Sequence, residues 1–195
     1  MPRYSFGEAV RTAYALVLTK ATFPTARLIR RPVYIRGGAL LKAAPGLTTG
    51  YHCRFDLTRI TPGAGPTLVI GTNCRMGDNV HIVASERVVI GDNCLMASKI
   101  FISDTTHGSY SGADQSHPQS DPTGRPLHCR PVQIGSNVWV GENVCILPGV
   151  SLGDGCIVNA GAVVTKSFEA AVMLAGVPAR VIKRWDPDTQ EWSAP

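Results

Sequence analysis

The sequence predicts an all-β solenoid, a parallel β-helix, and three observations carry that prediction. A six-residue pattern recurs through residues 70–107 and 134–169, offset by two residues at Val88-Val89 and interrupted at length between 107 and 134. Each unit opens on an aliphatic residue or Met, and Gly, Asn and Asp recur between these positions. A helix would repeat its apolar residues every three or four positions and a simple strand every two. A period of six fits a short strand and a tight corner, three to a coil. The expected plan is an N-terminal helical arm at 1–34, a β-helix domain at 35–184 with a loop excursion at 108–131, and a tail at 185–195 that opens with a short helix.

The elements follow in order. From Ile70 the units read IGTNCR, MGDNVH and IVASER, then, after Val88 and Val89, IGDNCL, MASKIF and ISDTTH. After the break come IGSNVW, VGENVC, ILPGVS, LGDGCI, VNAGAV and VTKSFE. The first residue of a unit, and the fifth, should point inward. The Gly, Asn and Asp between them permit the left-handed backbone that sharp corners need. Three units make one coil, so 70–87, 90–107, 134–151 and 152–169 are four coils, and successive coils stack by strand pairing about 4.8 Å apart. Residues 35–57, including LTTGYH, read as a degenerate earlier coil.

Before the repeat, Phe6, Val10, Ala13 and Val17 share one helical face. A helix near 5–19 should therefore cap the solenoid or pack on a neighbouring subunit. After the repeat, Asp186-Pro187 supplies an N-cap and first-turn proline for a short C-terminal helix.

A chain of 195 residues with 44% hydrophobic and 17% charged residues suits one folded domain. Six basic residues (Arg3, Arg11, Lys20, Arg27, Arg30, Arg31) against Glu8 place the whole formal charge of +5 in residues 1–31. A broad nucleic-acid-binding face is therefore not expected; the basic arm suits an anionic surface or substrate, including peripheral contact with the inner face of a membrane. The six cysteines form no C-x-x-C pair and no zinc spacing, which points to a reducing, cytoplasmic chain. No convincing signal peptide and no membrane-spanning run is present.

His107 ends its unit at the edge of the break, in the sixth place, where it should face outward and stand beside the excursion. Histidine is the natural general base near neutral pH. On position alone, a catalytic base and a surface histidine at a loop hinge both stay open. His81 shares the sixth place on a different face of the preceding coil, His117 and His128 lie inside the excursion, and His52 belongs to the degenerate coil. Trp139 also takes an outward sixth place, where a wet indole is costly unless a partner covers it.

The stretches IGDNCLMASKIFISDTTHG, PVQIGSNVWVGENVCILPGVSLGDGCIVNAGAVVTK and AGVPARVIKR resemble the hexapeptide-repeat acyltransferases, most closely the sugar O-acetyltransferases of bacterial O-antigens and capsules. The resemblance implies a left-handed coil and a homotrimer with active sites between subunits. It also implies direct transfer of acetyl from acetyl-CoA to a sugar hydroxyl, with no metal and His107 as base. In similar enzymes proline commonly follows that histidine; here Gly108 does. Asp104 and Glu142 are candidates to orient His107, with a turn role equally open for Asp104. Asn79 lines up with an acceptor-contacting asparagine, or is a corner residue like Asn73 and Asn93. Trp139, Ala160, Thr165, Lys166, Arg180 and Lys183 match cofactor-contacting positions. Two other readings are an acceptor that is an antibiotic or amino sugar, and a non-catalytic trimeric scaffold. A zinc hydratase on the same solenoid would need three histidines in a spacing this chain lacks.

Overall fold

In a computed structural model, which describes residues 5–60 and 62–194, the chain winds through three sheets in rotation. The first sheet takes the parallel strands Leu28–Ile29, Thr48–Thr49, Arg75–Met76, Leu95–Met96, Trp139–Val140, Ile157–Val158 and Val172–Ala175. The second takes Tyr34–Arg36, Arg54–Leu57, His81–Ala84, Phe101–Ser103, Cys145–Ile146 and Val163–Val164. The third takes Leu41–Ala43, Leu68–Ile70, Val88–Ile90, Val132–Ile134 and Ser151–Leu152. Pairing is parallel and places each six-residue unit on its counterpart, as in Leu95 with Arg75 on one side and Trp139 on the other.

Each position of the repeat has a physical reason. First and fifth residues, such as Met76, Val80, Ile82, Cys94 and Val138, fill one continuous core that runs from Ala26 to Ala179. The second residue is glycine because backbone meets backbone there. A Cβ on Gly91 would lie 2.7 Å from the carbonyl carbon of Gly135, and one on Gly153 would lie 2.3 Å from the nitrogen of Ala170. The third residue stitches neighbouring coils at the corner. Thr72 donates its N–H to Asp92 at 2.6 Å, Asp92 to the Ser136 hydroxyl at 3.1 Å, and Ser136 to Asp154 at 2.7 Å. The fourth turns the corner in the left-handed region, as Asn73, Asn79, Asn93, Asn137 and Asn143 do at φ between 55° and 58°. Among the fifth-place cysteines, the buried thiols of Cys74, Cys94 and Cys156 donate to carbonyls of the next coil at 3.0 to 3.1 Å.

Three expectations are corrected, and a fourth, the N-terminal helix, is met in position while its apolar face turns away from the coil. The coil begins at Leu28–Ile29 rather than at 35, so two full turns precede Ile70 where one degenerate coil was expected. The helix, Phe6–Thr22, is closed at its start by a reciprocal Ser5–Glu8 capping box. It docks through Ala15 and Thr19, the Thr19 hydroxyl accepting from Ile29 N–H at 2.9 Å. Its apolar face therefore points away from the coil, with Phe6 87% and Val17 69% exposed. The chain leaves the coil after Asp104, not after His107: Thr105–His107 pairs antiparallel with Leu127–Cys129 as a two-stranded ribbon. Finally, among the described residues no helix follows Asp186. Arg180–Asp186 and Glu191–Ser193 form a β-hairpin on the end of the first sheet, and Asp186 accepts from Asp188 and Thr189 N–H, so it caps the hairpin turn. Among the described residues no helix is long and apolar enough to cross a membrane.

The corner geometry yields a prediction. Gly91→Val should lower the unfolding free energy by about 2 kcal/mol or more, because the added carbons meet backbone that cannot give way. Gly124→Ala, where an added Cβ meets nothing closer than 4.0 Å, should stay close to wild type in the same denaturant titration.

Candidate active site

His107 is exposed at the end of the first ribbon strand, beyond the corner between the second and third sheets. The ribbon is anchored where it leaves the coil: Asp104 N–H donates to the Val83 carbonyl, and Arg130 N–H closes the base onto the Asp104 carbonyl at 2.8 Å. The Asp104 side chain is fully buried and accepts from the backbone N–H groups of Ser85, Glu86 and Arg87 at 2.8 to 3.1 Å. It thus holds the 85–87 corner of the preceding coil. Glu142, the other candidate to orient the imidazole, pairs with Lys99 at 3.4 Å.

The turn after His107 explains the missing proline. Gly108 has φ +94°, a value that a pyrrolidine ring cannot reach, and its N–H donates to the Pro126 carbonyl at 2.8 Å. A Cβ there would stand 2.6 Å from the Ser116 hydroxyl oxygen. Beyond this turn the excursion is organised around Arg125. Its guanidinium donates to the Ser120 hydroxyl at 2.9 Å, to the Ser120 carbonyl at 2.8 Å, to the Pro118 carbonyl at 3.1 Å and to the Tyr110 hydroxyl at 2.9 Å. Tyr110 in turn donates to the His107 carbonyl. A relay therefore runs from the loop interior to the backbone of the histidine, and nothing in the aperiodic loop sequence announced it.

Trp139 is half-exposed, as its outward place implied. It lies in a cross-strand row on the first sheet with Leu95, Ile157, Met173 and Lys183. Three strand spacings, about 14 Å, separate the indole strand from the Lys183 strand. Arg180 is exposed on that same last strand. An apolar row ending in cations fits a donor with an aliphatic arm and phosphates at its far end, which is the chemistry of coenzyme A. Ala160 sits at the next corner, its backbone nitrogen so close to Gly141 that a Cβ there would lie 2.5 Å away. Thr165 is exposed just past the second sheet, and the Lys166 ammonium lies 5.5 Å above the Phe168 ring.

The winding thus separates two groups. Trp139 and Lys183 belong to the first sheet, whereas His107 departs from the end of the second. Within one chain these side chains face different sides of the coil.

Asn79 has the same left-handed corner backbone as Asn73 and Asn93, yet it also lines a surface groove of about 690 Å³ with Tyr34, Arg36, His52 and Arg54. This groove, on the second sheet, was not anticipated; its strands lie in the early coils that the repeat does not mark. Beside it, Asp56 takes Arg54 Nε at 2.6 Å, His81 Nε2 at 3.0 Å and Arg36 at 3.4 Å. Partial burial pushes the Asp56 carboxyl up, but the hydrogen bonds from Arg54 and His81 and the nearby guanidinium charges outweigh it and hold the pKa below the ordinary value. Of the other histidines, His117 accepts from Gln119 N–H within the loop, and the His128 backbone pairs with Thr106 in the ribbon. Burial drives the Cys53 thiol up to about 11, the opposite of what a nucleophilic thiolate needs. Among the described residues no three His, Cys, Asp or Glu side chains gather as a metal cluster.

With this geometry in place, comparison with known proteins fixes the class. The bacterial transferase hexapeptide (six repeats) family matches residues 131–166. WbbJ of Escherichia coli K12, whose name assigns it to lipopolysaccharide-biosynthesis O-acetyl transfer, is 37% identical over 191 residues, 97% of this chain and 95% of its own. The galactoside O-acetyltransferase of the same organism is 39% identical over 119 residues, 61% of this chain and 55% of its own. A solved galactoside acetyltransferase in complex with coenzyme A is 27% identical, with a TM-score of 0.57 over 92% of this chain and 74% of that one. AntD, an N-acyltransferase from Bacillus cereus, shares the fold at 19% identity, with a TM-score of 0.66 over 95% of this chain and 92% of its own. The chain belongs to the hexapeptide-repeat acyltransferases.

The reassigned role of Asp104 is open to measurement. Asp104→Ala leaves three backbone N–H groups, that of Ser85 buried and those of Glu86 and Arg87 part-buried, without their acceptor and should cost about 2 kcal/mol of stability. Denaturant unfolding of the variant measures this, and an unchanged midpoint would return Asp104 to the list of groups free to serve His107.

Proposed function

We propose that this chain transfers acetyl directly from acetyl-CoA to a hydroxyl of a cell-surface polysaccharide sugar or its lipid-linked precursor, with His107 as general base. As a member of this family the chain is an O-acetyltransferase that uses acetyl-CoA and a sugar acceptor. The finer statements, the base and the kind of acceptor, are the proposal. The observation that carries it is the full-length similarity to WbbJ combined with an exposed, backbone-anchored histidine at the root of the excursion.

In this reading the Trp139 row holds the aliphatic arm of the donor, while Arg180 and Lys183 meet its phosphates. Ala160 stands at the corner beside this row, and Thr165 and Lys166, on the side from which His107 departs, meet the same path from the neighbouring chain. Acetyl-CoA supplies the acetyl group as an activated thioester. The His107 imidazole takes the proton of the acceptor hydroxyl as that oxygen attacks the thioester carbonyl carbon; the C–S bond then breaks, and the departing thiolate takes the proton from His107 and leaves as free coenzyme A. Asn79 contacts the acceptor sugar. Because Trp139 and His107 face different sides of one coil, the working unit is a trimer of left-handed coils. One chain then offers the indole and its neighbour the histidine. The outward stripe of the N-terminal helix, Phe6, Val10, Ala13 and Val17, is assigned to contact with a second copy of the chain. Acetyl-CoA is held inside the cell, so the reaction belongs on the cytoplasmic side.

Removing the base tests the mechanism. His107→Ala, folded as judged by its thermal midpoint, should lose about a hundredfold or more in acetyl transfer, since a positioned general base contributes on that order or above. Transfer is read by mass spectrometry of a panel of glycosides and lipid-linked oligosaccharides. A folded variant that retained near-full transfer would remove His107 from the mechanism.

A further inference from the structure

The groove at Asn79 has a chemistry that the sugar-transfer reading does not require. Tyr34, Arg36, His52 and Arg54 line it with Asn79, and no acidic side chain is among the described residues of its wall. Tyr34 and Arg54 are register partners on successive coils, and Arg36 and Asp56 form the adjacent row. Both guanidiniums lean on one carboxylate: Arg54 gives Asp56 its Nε, and Arg36 approaches with one terminal nitrogen. Two cations against one anion leave the cluster positive before either nearby histidine is counted. Their side chains stay 74% and 44% exposed for Arg36 and Arg54, while that of Asp56 is 17% exposed. The carboxylate is thus set back as a support and the guanidiniums stand forward.

A neutral sugar calls for no such arrangement. Hydroxyls are met by carboxylates, amides and backbone groups, and two planar cationic forks are matched instead by the oxygens of a phosphate. We infer that this groove is an anion subsite that holds the phosphate or diphosphate of a phosphorylated sugar acceptor. Arg36 and Arg54 donate to the phosphate oxygens, with Tyr34 and His52 at the margin and Asn79 toward the sugar. The Phe101–Ser103 strand of the same sheet leads into the His107 ribbon, so the anchored end of the acceptor lies on the sheet from which the base departs. The inference rests on the acetyl-transfer reading for calling the ligand the acceptor, but not for the presence of the anion subsite itself.

Calorimetric titration of the full chain with inorganic pyrophosphate, in saturating coenzyme A, isolates the subsite from the donor's own phosphate contacts. Wild type should bind, and the Arg36→Gln/Arg54→Gln double variant should bind at least about tenfold more weakly, as expected for loss of charge-assisted bonds. Coenzyme A affinity should not change, and the thermal midpoint, lowered by the loss of the Arg54 and Arg36 pairing to Asp56, should still lie well above the assay temperature. With acceptors, the double variant should raise KM for a sugar diphosphate, leaving that for the matching methyl glycoside unaltered. A nucleotide diphosphosugar and a short-chain prenyl diphosphosugar then tell which carrier supplies the diphosphate. No pyrophosphate binding by wild type, or equal binding by the double variant, would overturn the subsite. Pyrophosphate binding without any acetyl transfer would instead overturn the acetyl-transfer reading and leave the subsite standing.

Discussion

Everything in this molecule depends on how closely one coil can lie on the next. At the corners the backbones approach so far that even a methyl group at Gly91, Gly135 or Gly153 would penetrate its neighbour. That approach lets third-place side chains reach across to the next coil and lets small fifth-place residues, including cysteine thiols, close the core. Since each coil supplies only half of every contact, the stack is cooperative along its length, and the strands need be only two to four residues long. The capped helix at one end and the antiparallel hairpin at the other occupy the two ends where this stacking would otherwise stop open.

The same constraint explains what was legible in the sequence. Where backbone contact dictates residue type, the hexad is written plainly, and from Ile70 to Glu169 the twelve units fall on the three sheets. Earlier coils carry longer corners: Thr48 pairs with Arg75, a 27-residue circuit against the 18 between Trp139 and Ile157. The insertion blurs the phase, so Leu28–Ile29 went unnoticed and the Arg36–Arg54 groove with it. His107 continued the count of six, and counting alone could not reveal that the chain had already left the coil at Asp104. That departure rests on a buried carboxylate gathering three backbone N–H groups, a tertiary fact with no period. Asp186-Pro187 failed for a different reason: an Asx turn and a helix N-cap ask for the same residue, and strand pairing to Val172–Ala175 decided between them.

The candidate site gains its logic from the separation of faces. A three-sided coil presents the Trp139 row and His107 on different sides, so in the proposed mechanism a single chain holds the parts without assembling them. The long excursion does not wander. Arg125 and Tyr110 tie its interior to the carbonyl of His107, and Gly108 gives the turn a backbone that proline would forbid. The ribbon thus behaves as a stiff arm that carries the histidine outward, toward whatever surface a neighbouring coil offers.

Whether that surface is another copy of the same chain is the central claim, and mixing two impaired variants tests it most directly. His107→Ala and Trp139→Ala chains, each weakly active alone, would be unfolded together in equal amounts, refolded and assayed for acetyl transfer. If the indole of one chain serves the histidine of its neighbour, random reassembly into closed rings restores about a quarter of the wild-type sites, and activity rises well above that of either parent. If each active site is built within one chain, no mixture can contain an intact one. Activity that stayed at the average of the two parents would contradict the account.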